Sequence, residues 1–224
     1  VIWASCMVSC GDADGAVTGN TRRYGASLEK IKKVIEPRPG EIMFGLNMIV
    51  NKGKTVFIGD TSVHEYPSSE QLAEIAISSA RVVKLFGFEP KVAFVSHSTF
   101  GQPLTSRTKH IKNAVDILKE KNVNFKFDGD MQPDVALNLQ YKELYPFSNI
   151  VGNANILIMP GQHSAAISYK MMRELGGAKV IGPLLIGLAQ PIEIAPLRSS
   201  TSDILNLASV AAYSAGVIDY NKKN

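Results

Sequence analysis

The stretch Ser68–Val95, SSEQLAEIAISSARVVKLFGFEPKVAFV, carries a complete helix-to-strand transition. Ser68 followed three residues later by Gln71 is a capping-box start. Leu72, Ile75, Ala76, Ser79, Val82, Val83 and Phe86 then recur at the helical period, which predicts a helix over Ser69–Phe86. Gly87 stops it, because glycine alone adopts the left-handed turn after a last helical residue without strain. The β-branched and aromatic run Val92–Val95 follows as a buried strand.

The same alternation extends in both directions. Ile111, Ala114, Val115 and Leu118 mark a helix that stops near Asn122, and Phe125 and Phe127 alternate before Asp128. Ala154–Met159 reads as a central strand and Ser164–Leu175 as a helix. Val180–Ile181 and Leu184–Ile186 flank Pro183, which marks a strand that is interrupted or at a sheet edge. Asp203–Ala215, opened by Ser200 and closed by Gly216, is the last predicted helix. Upstream, Glu41–Val50 and Thr55–Gly59 enclose the hairpin turn Asn51-Lys52-Gly53. Strands alternating with helices predict a three-layer α/β/α architecture with largely parallel sheets. Pro67 and the 191–196 stretch are the expected hinges. They divide the chain into a first lobe, 1–66 with 185–224, and a second lobe, 67–184.

Composition narrows the function classes. In 224 residues, 45% are hydrophobic, enough for a sizeable core without covalent staples. The apolar runs fall far short of the roughly 18–20 residues that a spanning helix needs. Cys6 and Cys10 are too few for a disulfide framework, so a cytoplasmic setting is expected, with both thiols buried and inert. Neither a signal peptide nor a basic leader is apparent, yet the chain opens on Val1-Ile2-Trp3, which reads as a piece of a longer polypeptide. The net charge of +4 comes from scattered Lys and Arg, which disfavours nucleic acid and suits a small phosphate-bearing ligand.

Two familiar motifs fail on inspection. Gly53-Lys54-Thr55 has Met48 where a phosphate loop needs its first glycine, and it enters a strand. Asp12–Gly15 lacks a calcium loop's closing glutamate, since Arg23 stands there. His64, His97, His110 and His163 share no ligand spacing and read as surface or loop residues. Three loops remain as candidates. Gly11–Gly19 (GDADGAVTG) is glycine-rich, so its backbone N–H groups are free to approach an anion. Ser96–Gly101 (SHSTFG) and Pro160–Ser164 (PGQHS) follow strands, where open α/β sheets form binding crevices. The three loops are expected to face one cleft. For each, a plain turn or cap is the competing reading.

In order along the chain come GDADGAVTG, PSSEQLAEIA at Pro67–Ala76, GFEPKVAFVSHST at Gly87–Thr99 and DGDMQPDVALN at Asp128–Asn138. ANILIMP at Ala154–Pro160, SYK at Ser168–Lys170, GPLLIGLAQPI at Gly182–Ile192 and SDILNLA at Ser202–Ala208 complete the series. Together they resemble the phosphate acetyl/butyryltransferase family, and within it the C-terminal domain fused to bacterial NADP-dependent malic enzymes. The resemblance implies two α/β lobes of isocitrate-dehydrogenase-like architecture, N-terminally truncated here, with a cleft for an acyl-CoA. Acyl-CoA-binding residues are then expected at Asp14, Gly15, Thr18, Gly19, Ser96, Ser98, Thr99, Gln162, Ser164, Arg198 and Asp203.

The departures from the family pattern bear on activity. Active transacetylases carry a Ser-Arg pair seven and six residues before the aspartate matching Asp203, and here those positions are Pro196 and Leu197. Neither side chain stabilises charge developing on a carbonyl oxygen or a phosphate. Arg198 stands one residue away, so a shift of the loop would be needed for it to substitute in part. The family's Asp-Leu-Asn-Thr-Gly-Asn run has become Gly161–Ala166, losing its carboxylate and its final amide. The resemblance therefore implies a non-catalytic domain that binds acetyl-CoA or a related acyl-CoA. It would regulate an N-terminal malic enzyme domain and form a homodimer or higher homo-oligomer. NADP and a divalent metal would belong to that parent chain, with no cofactor or metal in this segment. An active phosphate acyltransferase and a ligand-free scaffold are the alternatives. The apolar residues Ile204, Leu205, Leu207, Ala208, Val210, Ala211 and Ala212 spread widely around the last helix, which points to a helix-mediated dimer or to burial within its own lobe.

Overall fold

The computed structural model describes residues 1–223, with side chains to Val217. The helices are α1 (Ile2–Cys10), α2 (Tyr24–Ile31), α3 (Ser69–Leu85), α4 (Ser106–Glu120), α5 (Pro133–Leu137), α6 (Gln162–Glu174) and α7 (Thr201–Lys223). The strands are β1 (Ala16–Gly19), β2 (Phe44–Asn51), β3 (Lys54–Gly59), β4 (Lys91–Val95), β5 (Lys126–Met131), β6 (Ile156–Ile158), β7 (Lys179–Ile186) and β8 (Ile192–Ala195). Two compact units result: Val1–Asn47 with Ile181–Asn224, and Met48–Val180. This division assigns residues 48–66 to the middle unit, whereas the sequence reading placed them with the termini. The reason is the parallel pairing of β3 with β6, which ties this segment to the middle unit well before Pro67.

In the middle unit, local chemistry explains each element. Ser68 and Gln71 close the capping box of α3: Gln71 N–H donates to Ser68 Oγ at 3.2 Å and Ser68 N–H to Gln71 Oε1 at 2.8 Å. Leu72, Ile75, Ala76, Ser79 and Val83 are buried along one face, and Gly87 ends the helix at φ +85°. Val82 and Phe86, expected on that face, are only half-buried. Thr105 and Thr108 cap α4 in the same way, and Ile111, Ala114, Val115 and Leu118 all reach the core. Lys52 and Gly53, both at positive φ, make the two-residue turn joining β2 to β3.

The sheet order is β5-β4-β6-β3-β2-β7, and β5 with β4, β4 with β6 and β6 with β3 pair in parallel. Side chains alternate across it. Ile58, Ala93, Val95, Leu157 and Met159 pack with Val135, Ala136 and Ala165 of α5 and α6. The intervening Phe57, Val92, Phe94, Ile156 and Ile158 are buried on the opposite face, where α3 and α4 lie. The result is the expected α/β/α layering. Pro183 sits in β7, the sheet's last strand, as a proline without an N–H requires.

The terminal unit is built around a two-stranded parallel pair in which Ala16 faces Ile192 and Gly19 faces Ala195. Val8, Leu28, Ile31, Ile194, Leu207 and Ala211 are buried around it. Two expectations are corrected here. Cys6 is half-buried and Cys10 exposed, because α1 buries the face carrying Ser5 and Val8 and leaves Trp3 80% exposed. The last helix runs through Gly216 instead of stopping, since a helical glycine costs only about 1 kcal/mol and no left-handed residue follows Ala215.

Candidate ligand-binding site

Parallel strands bring β3, β4 and β6 to the same end of the middle unit, and each is followed by a loop leading into α3, α4 or α6. Crevices in open α/β sheets form beyond these strand ends. Two buried carboxylates shape the loops. Asp60, just past β3, accepts hydrogen bonds from the N–H groups of Ser62 (2.8 Å), Val63 (3.2 Å) and His64 (2.8 Å) and pairs with His64 Nδ1 at 2.8 Å. Asp130 accepts from Ser98 Oγ and from Gly101 N–H (2.9 Å), folding the Ser96–Gly101 loop against the end of β5. His110 joins two helices: its Nε2 donates to Pro67 O at 2.9 Å, and Ser69 Oγ donates to His110 O at 2.8 Å.

Gly161 allows α6 to start against the 65–67 segment. A Cβ there would lie 2.7 Å from Glu65 O, the atom that accepts the Gln162 N–H at 3.2 Å. No side chain caps α6 at this end.

The first turns of α3, α4 and α6 and the three loops enclose a cavity of about 930 Å³. Val95, Ile111, Pro133 and Met159 form its apolar part. Arg107, His97, His110 and His163 line it with Ser68, Ser96, Ser106, Ser164 and Ser168, and Glu65 is the carboxylate among these lining residues. Helix N-termini carry roughly half a positive charge each and expose unbonded N–H groups. Added to the Arg107 guanidinium, they make the cavity suited to an anion with an apolar portion.

The sequence-predicted residues divide. Ser96 and Ser164 both line the cavity, so two of the three candidate loops do share a site. Gln162 adjoins it through Gly161 and His163, with its N–H held by Glu65. Ser98 and Thr99 are buried, and their hydroxyls serve the loop itself, Ser98 donating to Asp130 and Thr99 Oγ1 accepting from Gln132 N–H at 3.3 Å.

Asp14, Gly15, Thr18, Gly19, Arg198 and Asp203 belong to the terminal unit. There Gly15 and Gly19 permit close approach of β8: an added Cβ would meet Pro191 O at 3.0 Å or Ala195 O at 2.4 Å. Thr18 sits opposite Ile194, and Asp14 is exposed. Arg198 is exposed at φ +62°, its N–H donating to Asn20 O at 3.2 Å. Asp203 Oδ2 accepts from Ser200 N–H (2.9 Å) and Ser200 Oγ (2.8 Å), the capping interaction of α7. Among the described residues, no three His, Cys, Asp or Glu side chains converge as a metal site. None of the helices searched is long and apolar enough to cross a membrane.

Sequence reasoning missed Tyr66, His97, Arg107, His110 and His163 as cavity residues. The available signal was position: all five lie between a strand end and the second turn of the next helix.

Comparison with known proteins agrees with the fold. The phosphate acetyl/butaryl transferase family profile matches residues 1–212. The NADP-dependent malic enzyme of Rhizobium meliloti is 48% identical over 214 residues, covering 96% of this chain but 28% of the relative. The phosphate acetyltransferase of Clostridium acetobutylicum is 33% identical over 95% of the chain and 67% of its own length. A phosphotransacetylase from Streptococcus pyogenes superposes with a TM-score of 0.90 at 29% identity, covering 96% of this chain and 66% of that one. The chain thus spans about 28% of the malic enzyme it matches, corresponding to the transacetylase-like part. It belongs to the phosphate acetyl/butaryl transferase family.

Proposed function

We propose that this chain is the acyl-CoA-binding regulatory and oligomerisation domain of a cytoplasmic NADP-dependent malic enzyme, without transacetylase activity of its own. The observation that carries the reading is the Pro196–Asp203 segment. Pro196 and Leu197 bring neither hydroxyl nor guanidinium, and the Asp203 carboxylate is engaged by Ser200 at the start of α7. Stabilising an oxyanion or a transferring phosphate needs donors aimed at the developing charge, and removing one such donor costs about 3–4 kcal/mol of barrier lowering. Binding needs less, and the cavity of the middle unit retains cationic and polar groups beside an apolar wall.

An acyl-CoA acts here as an effector, favouring one of two states of the parent enzyme with a coupling of about 1–3 kcal/mol. NADP and a divalent metal supply malate oxidation and decarboxylation in the N-terminal malic enzyme domain, outside this chain. Homo-oligomerisation uses α7, on which Leu205 stays 65% exposed although Leu207 and Ala211 are buried. Calorimetric titration with acetyl-CoA tests the binding, and absence of heat from both acetyl-CoA and coenzyme A rejects it. Sedimentation at micromolar concentration tests assembly: a monomer unaffected by Leu205→Glu rejects the α7 interface.

The alternative, a working phosphate acyltransferase, draws on the 33% identity to the Clostridium acetobutylicum enzyme and on the exposed Arg198 guanidinium next to Leu197. Acetyl-phosphate-dependent formation of acetyl-CoA by the full parent protein would establish it.

A further inference from the structure

The mouth of the cavity holds two flat rings. Tyr66, from the loop before α3, and His163, from the first turn of α6, lie within 16° of parallel and have centroids 6.3 Å apart. Tyr66 is 76% exposed and the His163 side chain 72%. Pairs that merely fill a core are buried, so this one has ring face to offer. Its backbone support is firm. Pro67, next to Tyr66, is buried with its carbonyl held by His110, and Gly161 seats the start of α6 against Glu65. The Glu65 carboxylate lies 3.4 Å from His163 Nε2, steadying the imidazole. Arg107 and the start of α6, which no side chain caps, also line the cavity as counter-charges for phosphate.

We infer that Tyr66 and His163 form a stacking platform for the adenine ring of the acyl-CoA nucleotide, with Arg107 taking its phosphates. This deepens the proposed function and rests on it. A heteroaromatic ring inserted between two parallel rings needs about 7 Å, twice the contact distance of carbon atoms. Opening that gap takes an outward swing of the exposed imidazole. The same rings without movement present Tyr66's outer face. In either geometry the platform reads a flat ring and is indifferent to the acyl group.

The test uses three probes on the intact chain: coenzyme A, adenosine 3′,5′-bisphosphate and 4′-phosphopantetheine. Tyr66→Ala is expected to weaken the first two about tenfold, the lower range of base–aromatic stacking, and leave 4′-phosphopantetheine unchanged. Tyr66→Phe retains both, because the ring and not the hydroxyl is used. His163→Ala weakens the nucleotide probes to a smaller extent. If coenzyme A binds and Tyr66→Ala leaves its affinity unchanged, the platform is wrong while the acyl-CoA reading stands. An equal loss for all three probes also overturns it, since that is the signature of a general disturbance. Binding of the bisphosphate but not of coenzyme A, lost in Tyr66→Ala, supports the platform and rejects acyl-CoA as its ligand.

Discussion

Glu193 is the most consequential single residue outside the cavity. It is buried in β8, where Leu185 N–H donates to Oε2 at 2.9 Å. Burial pushes its carboxyl up from 4.5 to about 8, against the smaller opposing effect of the Leu185 hydrogen bond. The folded chain therefore holds a proton that the unfolded chain releases between these two values. Stability on this account is fully present below about 4.5 and falls as pH rises toward 8. Glu193→Gln keeps a neutral group of the same shape and should flatten that decline. Urea unfolding from pH 5 to 8.5 should show the wild type losing roughly 4 kcal/mol relative to the variant, at about 1.4 kcal/mol per unit.

A second residue-scale prediction concerns Gly161. Its backbone is extended, so alanine meets no conformational penalty, but the new Cβ would press on Glu65 O at 2.7 Å. Gly161→Ala should cost about 1–3 kcal/mol through displacement of the 65–67 segment. The urea midpoint reads the stability loss, and ligand titration should show weaker binding because Tyr66 moves with that segment.

At the scale of elements, the first turns of α3 and α4 anchor the cavity. Ser68→Ala removes the acceptor for Gln71 N–H and should destabilise by about 1 kcal/mol, measured by denaturant titration. The substitution also removes the hydrogen bond that Ser68 Oγ donates to the Glu70 carboxylate at 2.8 Å. Local chemistry wrote these starts plainly: Ser68 and Gln71 have the capping spacing, and their helix forms where that spacing places it. Element ends are less legible. Gly216 lies inside α7 because chain on both sides keeps helical hydrogen bonding available, and a single glycine does not outweigh it.

For the whole molecule, the chain's membership of a transacetylase family sits beside Pro196 and Leu197, which offer neither hydroxyl nor guanidinium before α7. No acetyl-phosphate-dependent acetyl transfer above a protein-free control is expected, from this chain or from the full parent protein. A coupled assay for coenzyme A acetylation measures it. Activity that disappears in Asp203→Asn would show that Arg198 or another group has replaced the missing pair.

Periodicity and capping chemistry act between neighbours in the chain. The sequence alone therefore determined the α/β alternation, the faces of α3 and α4, the β2–β3 turn and the family. Only tertiary structure decided which polar residues meet. Tyr66 and His97 come from loops and Arg107 and His163 from the first turns of α4 and α6, which adjoin because β4, β6 and β3 are neighbours out of chain order. Ser98 and Thr99 looked like binding hydroxyls beside Ser96, yet they turn inward because Asp130 and Gln132, brought close by β4–β5 pairing, supply their partners. Gly15 and Gly19 looked like an anion cradle, and it is the approach of β8 that uses their missing side chains. In each case the determining contact spans tens to well over a hundred residues of chain. Its energy comes from desolvated hydrogen bonds and close packing, which no local pattern encodes.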